Sequence, residues 1–171
     1  VTSRNKEGFN IDWAILDEVH EMLTNALAKP IEQSQSTKDN PKVFEITTEG
    51  FVEDGYLDEE LKKFRAVLNG EDTGLAAERM LPWLYTQDSE QEVWLGNRSN
   101  RLWEKANPAL AYGIKKYSYL EQEVEKARKS TSDKRFVFAK DFNIKQNSVA
   151  AWLDKEAYTY KATYNLEDFK G

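Results

Sequence analysis

Two short apolar runs, separated by a stretch with helical spacing, mark the first part of the chain. The run WAIL, residues 13–16, is followed at once by Asp17 and Glu18, which is typical of a buried parallel strand with polar groups at its carboxyl end. The run KVFEITT, residues 42–48, is rich in β-branched and aromatic residues and predicts a second strand. Between them, apolar residues at three- and four-residue spacings over residues 21–36 predict a helix that Pro30 kinks or splits.

A strand, a helix and a second strand in this order predict a crossover connection, which makes the two strands parallel. The carboxyl ends of parallel strands meet at the same edge of a sheet, so we expect Asp17, Glu18, Thr47 and Thr48 to be near neighbours. Two parallel strands buried on both faces are not stable alone. We therefore expect further strands to come from elsewhere.

The remainder of the chain has a mainly helical pattern. Residues 56–71 are amphipathic and stop at Gly70, whereas residues 79–86 form a strand-like apolar segment interrupted by Pro82. From Asn100 onward we predict helices over residues 100–107, 118–130 and 132–144, with Ser118 as the cap of the second. The predicted fold class is α/β: a parallel strand–helix–strand portion over residues 1–74, followed by a mainly helical subdomain over residues 75–171.

Composition narrows the class of protein. The 171 residues carry 24 basic and 30 acidic side chains, a net charge of −6, so no global basic field marks a nucleic-acid coat and any DNA contact must be local. The absence of cysteine excludes disulfides and thiolate zinc sites and fits a reducing cytoplasm. The sequence shows neither a membrane span nor a signal peptide, which favours a soluble intracellular protein without membrane partners.

The strand that ends in Asp17 and Glu18 matches the Walker B pattern of nucleotide-hydrolysing enzymes. In that pattern the first carboxylate holds the water shell of Mg²⁺ and the second polarises the attacking water. The alternative interpretation is structural, because acidic residues also favour the N-terminus of a helix. His20, the single histidine, has no partner in the sequence and is interpreted as a hydrogen-bonded structural residue.

Two other motifs fail for lack of the required residues. GFVEDG, residues 50–55, has the glycine spacing of a P-loop, but Tyr56 and Leu57 stand where Lys and Ser or Thr are needed. HEMLT, residues 20–24, begins like a zinc-protease helix, but Thr24 replaces the second histidine. Neither a P-loop nor a zinc site is predicted within these residues.

Aromatic and basic residues are interpreted as structural. We expect the tryptophans of the second half to lie in the core rather than to stack on bases: Trp83, Trp94, Trp103 and Trp152. Basic residues cluster at positions 126–135, but glutamates at 121, 123 and 125 share the helix. This pattern predicts a solvated face of mixed charge rather than a phosphate-binding patch.

Four segments together resemble one protein family, the large terminase subunit of tailed bacteriophages. They occur in the family's order and at about its spacing, and the resemblance covers roughly residues 8–158: GFNIDWAILDEVHE, KVFEITTEGFVEDGYLDEELKKFRAVLNGE, LWEKANPAL and FNIKQNSVAAWLDKEAY. In that family an ATPase domain drives double-stranded DNA into an empty capsid, and a ribonuclease-H-like nuclease cuts the concatemer. The resemblance implies that this chain is a central piece of such a motor.

The resemblance also implies roles for particular residues. Asp17 matches the metal-associated Walker B residue, Glu18 the catalytic base, and the stretch 46–48 the coupling motif, in which Thr47 and Thr48 sense the nucleotide. Residues 1–74 then correspond to the C-terminal half of an ATPase domain, and residues 75–171 to a helical lid that leads toward a nuclease. The family's Walker A loop and its nuclease acids are expected outside this chain, so we expect half an active site and an inactive isolated piece.

The implied cofactors are ATP and Mg²⁺, and the implied partners are double-stranded DNA, the portal protein and the small terminase subunit. A ring oligomer working in the cytoplasm of an infected or lysogenic bacterial host follows from the same resemblance. Two alternatives stay open: a superfamily-two helicase-like ATPase, since DEVH, residues 17–20, fits a D-E-x-H box, and a non-catalytic interaction module in which Asp17 and Glu18 cap a helix.

Overall fold

The computed structural model describes residues 10–146. Strand β1, Trp13–Asp17, and strand β2, Lys42–Ile46, form a two-stranded parallel sheet in which Trp13 lies opposite Lys42 and Asp17 opposite Ile46. The predicted strands, their parallel direction and the α/β class are confirmed. Residues 1–9 and 147–171 lie outside the described part, and with them the last segment of the predicted helical subdomain.

The connection between the two strands is less helical than predicted. A 3₁₀ turn, Val19–Glu21, follows β1, and helix α1 covers only Ala28–Ser34. Pro30 lies in the first turn of α1, where a missing N–H removes no intrahelical hydrogen bond. The proline therefore neither kinks nor splits the helix, which simply begins later than the spacing of apolar residues indicated.

The two faces of the sheet have different environments. Ala14 and Leu16 are buried against α1 and the following helix, in a core completed by the residues Val19, Ala28, Ile31, Tyr56 and Leu57. On the opposite face Trp13 and Ile15 are each 67% exposed, and the ring of Trp13 lies 5.7 Å from that of Phe44. Nothing within residues 10–146 covers that second face, so in the described part of the chain the sheet is buried on one face only.

Helix α2, Tyr56–Leu68, follows the sheet and packs its first turn into the same core. It ends as predicted at Gly70, whose φ of 72° is the left-handed conformation that glycine adopts most readily. The N–H of Glu71 donates to the carbonyl of Ala66 and that of Gly70 to the carbonyl of Val67, which satisfies the last carbonyl groups of the helix.

The segment predicted as a strand at residues 79–86 is not one. A 3₁₀ turn, Ala77–Arg79, leads into residues 80–86, which have no regular secondary structure and no partner strand within residues 10–146. Pro82 lacks an N–H to donate to a ladder. Trp83 is 70% exposed, so its assignment to the core is wrong.

The second half is built from helices around one aromatic core. They are α3, Glu90–Leu95; two 3₁₀ turns, Leu102–Glu104 and Pro108–Leu110; α4, Tyr117–Lys129; and α5, Thr131–Phe142. The helix predicted over residues 100–107 is therefore only a 3₁₀ turn. Ser118 lies inside α4, whose cap position is Lys116, so the predicted cap is wrong. Ser130 caps α5 instead, its Oγ accepting from the N–H of Asp133 at 3.2 Å.

Trp103 lies at the centre of that core, as predicted. Its Nε1 donates to the carbonyl of Val93 at 2.9 Å, and its ring packs on Tyr117 and Phe142. Trp94 is partly buried, with its ring against Phe138, whereas Trp152 lies outside the described residues. The buried members of the cluster are Val93, Trp103, Ala106, Leu110, Leu120, Val124, Ala127, Val137, Phe138 and Phe142.

The basic residues of α4 form the mixed-charge face that the sequence predicted. Lys126 pairs with Glu123 and Lys129 with Glu125, at 2.6 Å in each case. Such exposed pairs contribute little to stability, and here they balance the charge of the surface. Across residues 10–146 no helix has both the length and the apolar character that a bilayer crossing requires.

Candidate functional site

The carboxyl ends of β1 and β2 form the edge that carries the predicted site residues. The register places Asp17 opposite Ile46, so the acids that end β1 and the threonines that follow β2 leave the sheet side by side. Glu18, Thr47 and Thr48 are brought together around His20, and Asp17 lies at the exposed start of the same turn. The expectation that the four residues are near neighbours agrees with this arrangement.

Glu18 supplies the bend that separates the two acids from the strand. Its backbone is left-handed, with φ 54° and ψ 45°, a conformation that is strained for a residue other than glycine. The N–H of Glu18 donates to Oδ1 of Asp17 at 2.9 Å. Adjacent residues of a strand point to opposite faces, and the left-handed turn at Glu18 ends that alternation directly after Asp17.

His20 is the hub of the edge and is only 4% exposed. Its Nδ1 lies 2.8 Å from Oγ1 of Thr47 and 3.1 Å from Oε2 of Glu18, and its Nε2 lies 3.0 Å from Oε1 of Glu21. The backbone N–H of His20 also donates to Oγ1 of Thr47, at 3.1 Å. The interpretation of His20 as a hydrogen-bonded residue fits these contacts, and they tie the Glu18 turn to β2.

The two threonines differ in what their hydroxyls contact. Oγ1 of Thr47 donates to the carbonyl of Thr48 at 2.7 Å and accepts from His20, so it is fully used within the protein. Oγ1 of Thr48 accepts from Lys140 of α5 at 3.4 Å. Thr48 is therefore the threonine through which this edge contacts the helical half.

Helix α5 and the residues after it reach this region at three points, which the sequence did not reveal. Lys140 contacts His20 as well as Thr48. Asn143 has a left-handed backbone with φ 52°; its Oδ1 accepts from the N–H of Glu49 at 3.0 Å, and its Nδ2 donates to the carbonyl of Tyr85. Lys140 lies 120 positions along the chain from His20, and Asn143 lies 94 positions from Glu49. No pattern in a single sequence indicates such distant contacts.

The third point is Lys145, which borders a cleft between α2 and the end of α5. Its Nζ lies 2.9 Å and 3.0 Å from the two carboxylate oxygens of Asp58. The cleft has a volume of about 490 Å³, and its lining carries both charges: Glu49 and Asp58 are among its acidic residues and Arg65 is among its basic residues. None of the four predicted site residues lines it, whereas Glu49, which follows Thr48 directly, does.

The fit of the edge to Mg²⁺ follows from its donors. Within residues 10–146 no group of three or more histidine, aspartate or glutamate side chains is arranged to hold a metal ion. Mg²⁺ in nucleotide sites keeps several waters and takes one or two carboxylates together with phosphate oxygens, so such a group is not required. Asp17 is exposed and its Oδ1 accepts only the neighbouring N–H, which suits it to hold the water shell of the ion.

The buried side of β2 carries a second polar contact. The hydroxyl of Tyr56 donates to Oε1 of Glu45 at 2.6 Å, while Oε2 of Glu45 is buried and has no hydrogen-bond partner among residues 10–146. Burial raises the pKa of the Glu45 carboxyl above its usual range, against the opposing effect of the Tyr56 hydrogen bond. Burial and the neighbouring Glu45 carboxylate also raise the pKa of Tyr56, which keeps the phenol a donor.

Comparison with known proteins adds no relative. A scan against protein-family models, a search of curated proteins and a search of solved structures each found no match.

Proposed function

We propose that this chain is the Walker B and coupling part of the ATPase of a large terminase subunit, the motor that packages double-stranded DNA into procapsids of tailed bacteriophages. One observation carries the proposal: β1 and β2 are adjacent and parallel, and at their carboxyl ends His20 hydrogen-bonds to Thr47 and lies 3.1 Å from the carboxylate of Glu18. This is the edge of a parallel sheet at which nucleotides bind.

The proposed chemistry divides between the two acids. Bound at this edge, Mg²⁺ would neutralise charge on the β- and γ-phosphates of ATP. Asp17 holds the water shell of the ion, and Glu18 accepts the proton of the water that attacks the γ-phosphate. Thr48 lies between this edge and Lys140, and it transmits the loss of the γ-phosphate to the helical half.

The exposed face of the sheet supports a role within a larger α/β domain. Trp13, Ile15, Phe44 and Ile46 form a contiguous apolar surface on β1 and β2, and their exposed fractions range from 45% to 67%. Parallel sheets are normally covered on both faces. A P-loop domain would cover this surface with its own helices and add the Walker A strand. The implied partners are double-stranded DNA, the portal protein, the small subunit and further copies in a ring, in the cytoplasm of the bacterial host.

A second candidate, a superfamily-two helicase-like ATPase, is favoured by one contact. The D-E-x-H box ends at His20, and His20 binds Thr47 of the following threonine motif, as that class would also require. Strand separation of a forked duplex by the intact protein would favour this candidate. The non-catalytic module has less support, because the side chain of Glu18 makes no capping hydrogen bond to the 3₁₀ turn that it precedes.

The coupling role of Thr48 gives the test of the proposal. In the intact subunit, Thr48→Val removes the hydroxyl that Lys140 contacts, and it should slow DNA packaging more than it weakens ATP binding. Packaging is measured as DNA protected from nuclease inside procapsids, and binding by titration with a fluorescent ATP analogue.

Thr48→Ser is the matched control, since it keeps the hydroxyl and should package at close to the normal rate. Equal loss of packaging and of binding in Thr48→Val would indicate a folding defect and contradict the coupling role. A protein that packages no DNA and shows no ATP turnover with its native sequence would contradict the proposed function itself.

A further inference from the structure

We propose that Lys140 is a positioning residue that selects the tautomer of His20 and thereby holds Glu18 in place. The contacts of His20 carry this inference, and the meaning for catalysis rests on the proposed function, in which Glu18 is the base. Helix α5 belongs to the helical half, whereas His20 and Glu18 belong to the sheet half, so the contact joins the two.

Lys140 contacts the Nε2 atom of His20. Its ammonium also lies 3.4 Å from Oγ1 of Thr48 and stands 6.0 Å from the centre of the Phe51 ring. A lysine ammonium has donors and no acceptor. Nε2 must therefore accept from Lys140, and the proton of the neutral imidazole then resides on Nδ1.

The environment of Nδ1 agrees with this tautomer. Nδ1 faces Oγ1 of Thr47 at 2.8 Å and Oε2 of Glu18 at 3.1 Å. The hydroxyl of Thr47 gives its own proton to the carbonyl of Thr48, which leaves its oxygen as an acceptor. With Lys140 in place, the Nδ1–H group thus donates to Oγ1 of Thr47 and lies beside the carboxylate of Glu18.

A competing carboxylate makes the choice of tautomer depend on Lys140. Oε1 of Glu21 lies 3.0 Å from Nε2, the nitrogen that Lys140 contacts. Glu21 accepts a hydrogen bond only when Nε2 carries a proton, whereas Lys140 donates only when it does not. Removal of Lys140 takes away the donor that requires Nε2 to be unprotonated, and it allows a proton to occupy Nε2 beside the Glu21 carboxylate. A neutral ring then has no proton on Nδ1 beside the Glu18 carboxylate.

The contacts of the ring nitrogens hold the imidazole in this orientation, because turning it over would place carbon atoms against Oγ1 of Thr47 and Nζ of Lys140. His20 is almost fully buried, and a Cβ atom added to Gly50 would lie 2.5 Å from Cδ2 of the ring. Glycine at position 50 is what allows the backbone to approach the imidazole so closely. The ring is thus fixed in orientation, and the location of its proton is the variable that Lys140 controls.

The single histidine makes the tautomer directly measurable in this chain. In protein labelled with ¹⁵N-histidine, long-range ¹H–¹⁵N correlation spectra distinguish a protonated from an unprotonated ring nitrogen. We expect a proton on Nδ1 in the native protein and a shift of proton occupancy to Nε2 in Lys140→Met.

Lys134→Met is the control on the same helix. Lys134 pairs with Glu90 and lies over the Phe138 ring, away from His20, so the native tautomer should persist. A proton on Nε2 in the native protein would overturn the proposal whatever the variants do, including the case in which Lys140→Met fails to fold. An unchanged Nδ1–H tautomer in folded Lys140→Met would overturn it too.

Turnover in the intact subunit separates positioning from binding. Loss of the Glu18 orientation should lower kcat by up to about 10²-fold, the scale expected for a misplaced catalytic group, while KM for ATP stays near its native value. A tautomer shift in a protein without ATPase activity would leave the Lys140 contact established and contradict only the proposed function. A tautomer shift without any change in kcat would contradict the role of Lys140 in positioning Glu18.

Discussion

Glycine at position 18 is expected to give a more stable protein than alanine at the same position, because of the backbone conformation there. Glu18 has a left-handed backbone with φ 54°, which glycine adopts without steric penalty. A residue that is strained where chemistry is proposed is the signature of a site whose geometry was retained at the expense of stability. The strain predicts the direction of the effect, and the structure also allows its size to be worked out.

The magnitude follows from a comparison of two variants. Glu18→Ala and Glu18→Gly both remove the contact with His20, which is weak in any case because the Glu18 side chain is 64% exposed. Relief of the left-handed conformation is worth about 1–2 kcal/mol, and the greater freedom of glycine in the unfolded chain opposes it by about 0.4–1 kcal/mol. From the middle of each range, Glu18→Gly should therefore unfold with about 0.8 kcal/mol more free energy than Glu18→Ala.

Urea denaturation followed by tryptophan fluorescence measures this difference. The matched control is the pair Asp17→Gly and Asp17→Ala, because Asp17 ends strand β1 and glycine weakens a strand. The order of stability should reverse, with the alanine variant more stable at position 17 and the glycine variant more stable at position 18. Equal stability of the two position-18 variants, or a more stable Glu18→Ala, would refute the strained turn.

Three further predictions concern the two cores and the isolated chain. Glu45→Gln should be more stable than the native protein at pH 7, because the raised pKa of Glu45 means that burial of its charged form is unfavourable. The gain in stability should vanish below the ordinary carboxyl pKa of 4.5, where the side chain at position 45 is uncharged in both proteins. Urea midpoints that keep the same difference at both pH values would contradict this. Gly96→Ala should destabilise the helical half and broaden the amide spectrum, since its Cβ would lie 2.0 Å from Nε1 of Trp103; an unchanged melting temperature would show that the core yields freely. The isolated 171-residue chain should neither hydrolyse ATP nor cut plasmid in Mn²⁺. Micromolar binding of a fluorescent ATP analogue, or conversion of the plasmid to its linear form, would contradict this prediction.

Local sequence signals predicted the elements that carry a strong residue propensity or a clear helix-terminating residue. The β-branched and aromatic run of β2 and the glycine that ends α2 are such cases. The strand predicted over residues 79–86 is absent because alternation of apolar residues indicates a strand only if a neighbouring strand is present to pair with it. Ser118 is not the cap of α4 because the helix already begins at the preceding residue, Tyr117. The ring of Tyr117 stacks on Trp103, and its hydroxyl donates to Glu104 at 2.9 Å.

The candidate site divides in the same way. The carboxylates of Asp17 and Glu18 and the two threonines follow from a motif at the end of a strand, and parallel pairing is enough to bring them together. The role of Lys140 depends on packing of α5 against the sheet half, which links positions 120 residues apart. The buried hub at His20 was recognisable as a structural residue, but its partners were not.

The proposed Walker B role of Glu18 is tested by measuring ATP hydrolysis with Glu18→Gln in the proposed terminase subunit. The variant should bind ATP with near-native affinity and lose on the order of 10²–10⁴-fold in turnover, the contribution expected of a general base that acts in the transition state. Asp17→Asn, measured beside it, should also weaken the magnesium-dependent part of binding. Turnover of Glu18→Gln within about twofold of the native rate, far below the effect of a lost general base, would contradict the assignment of this edge as a Walker B site.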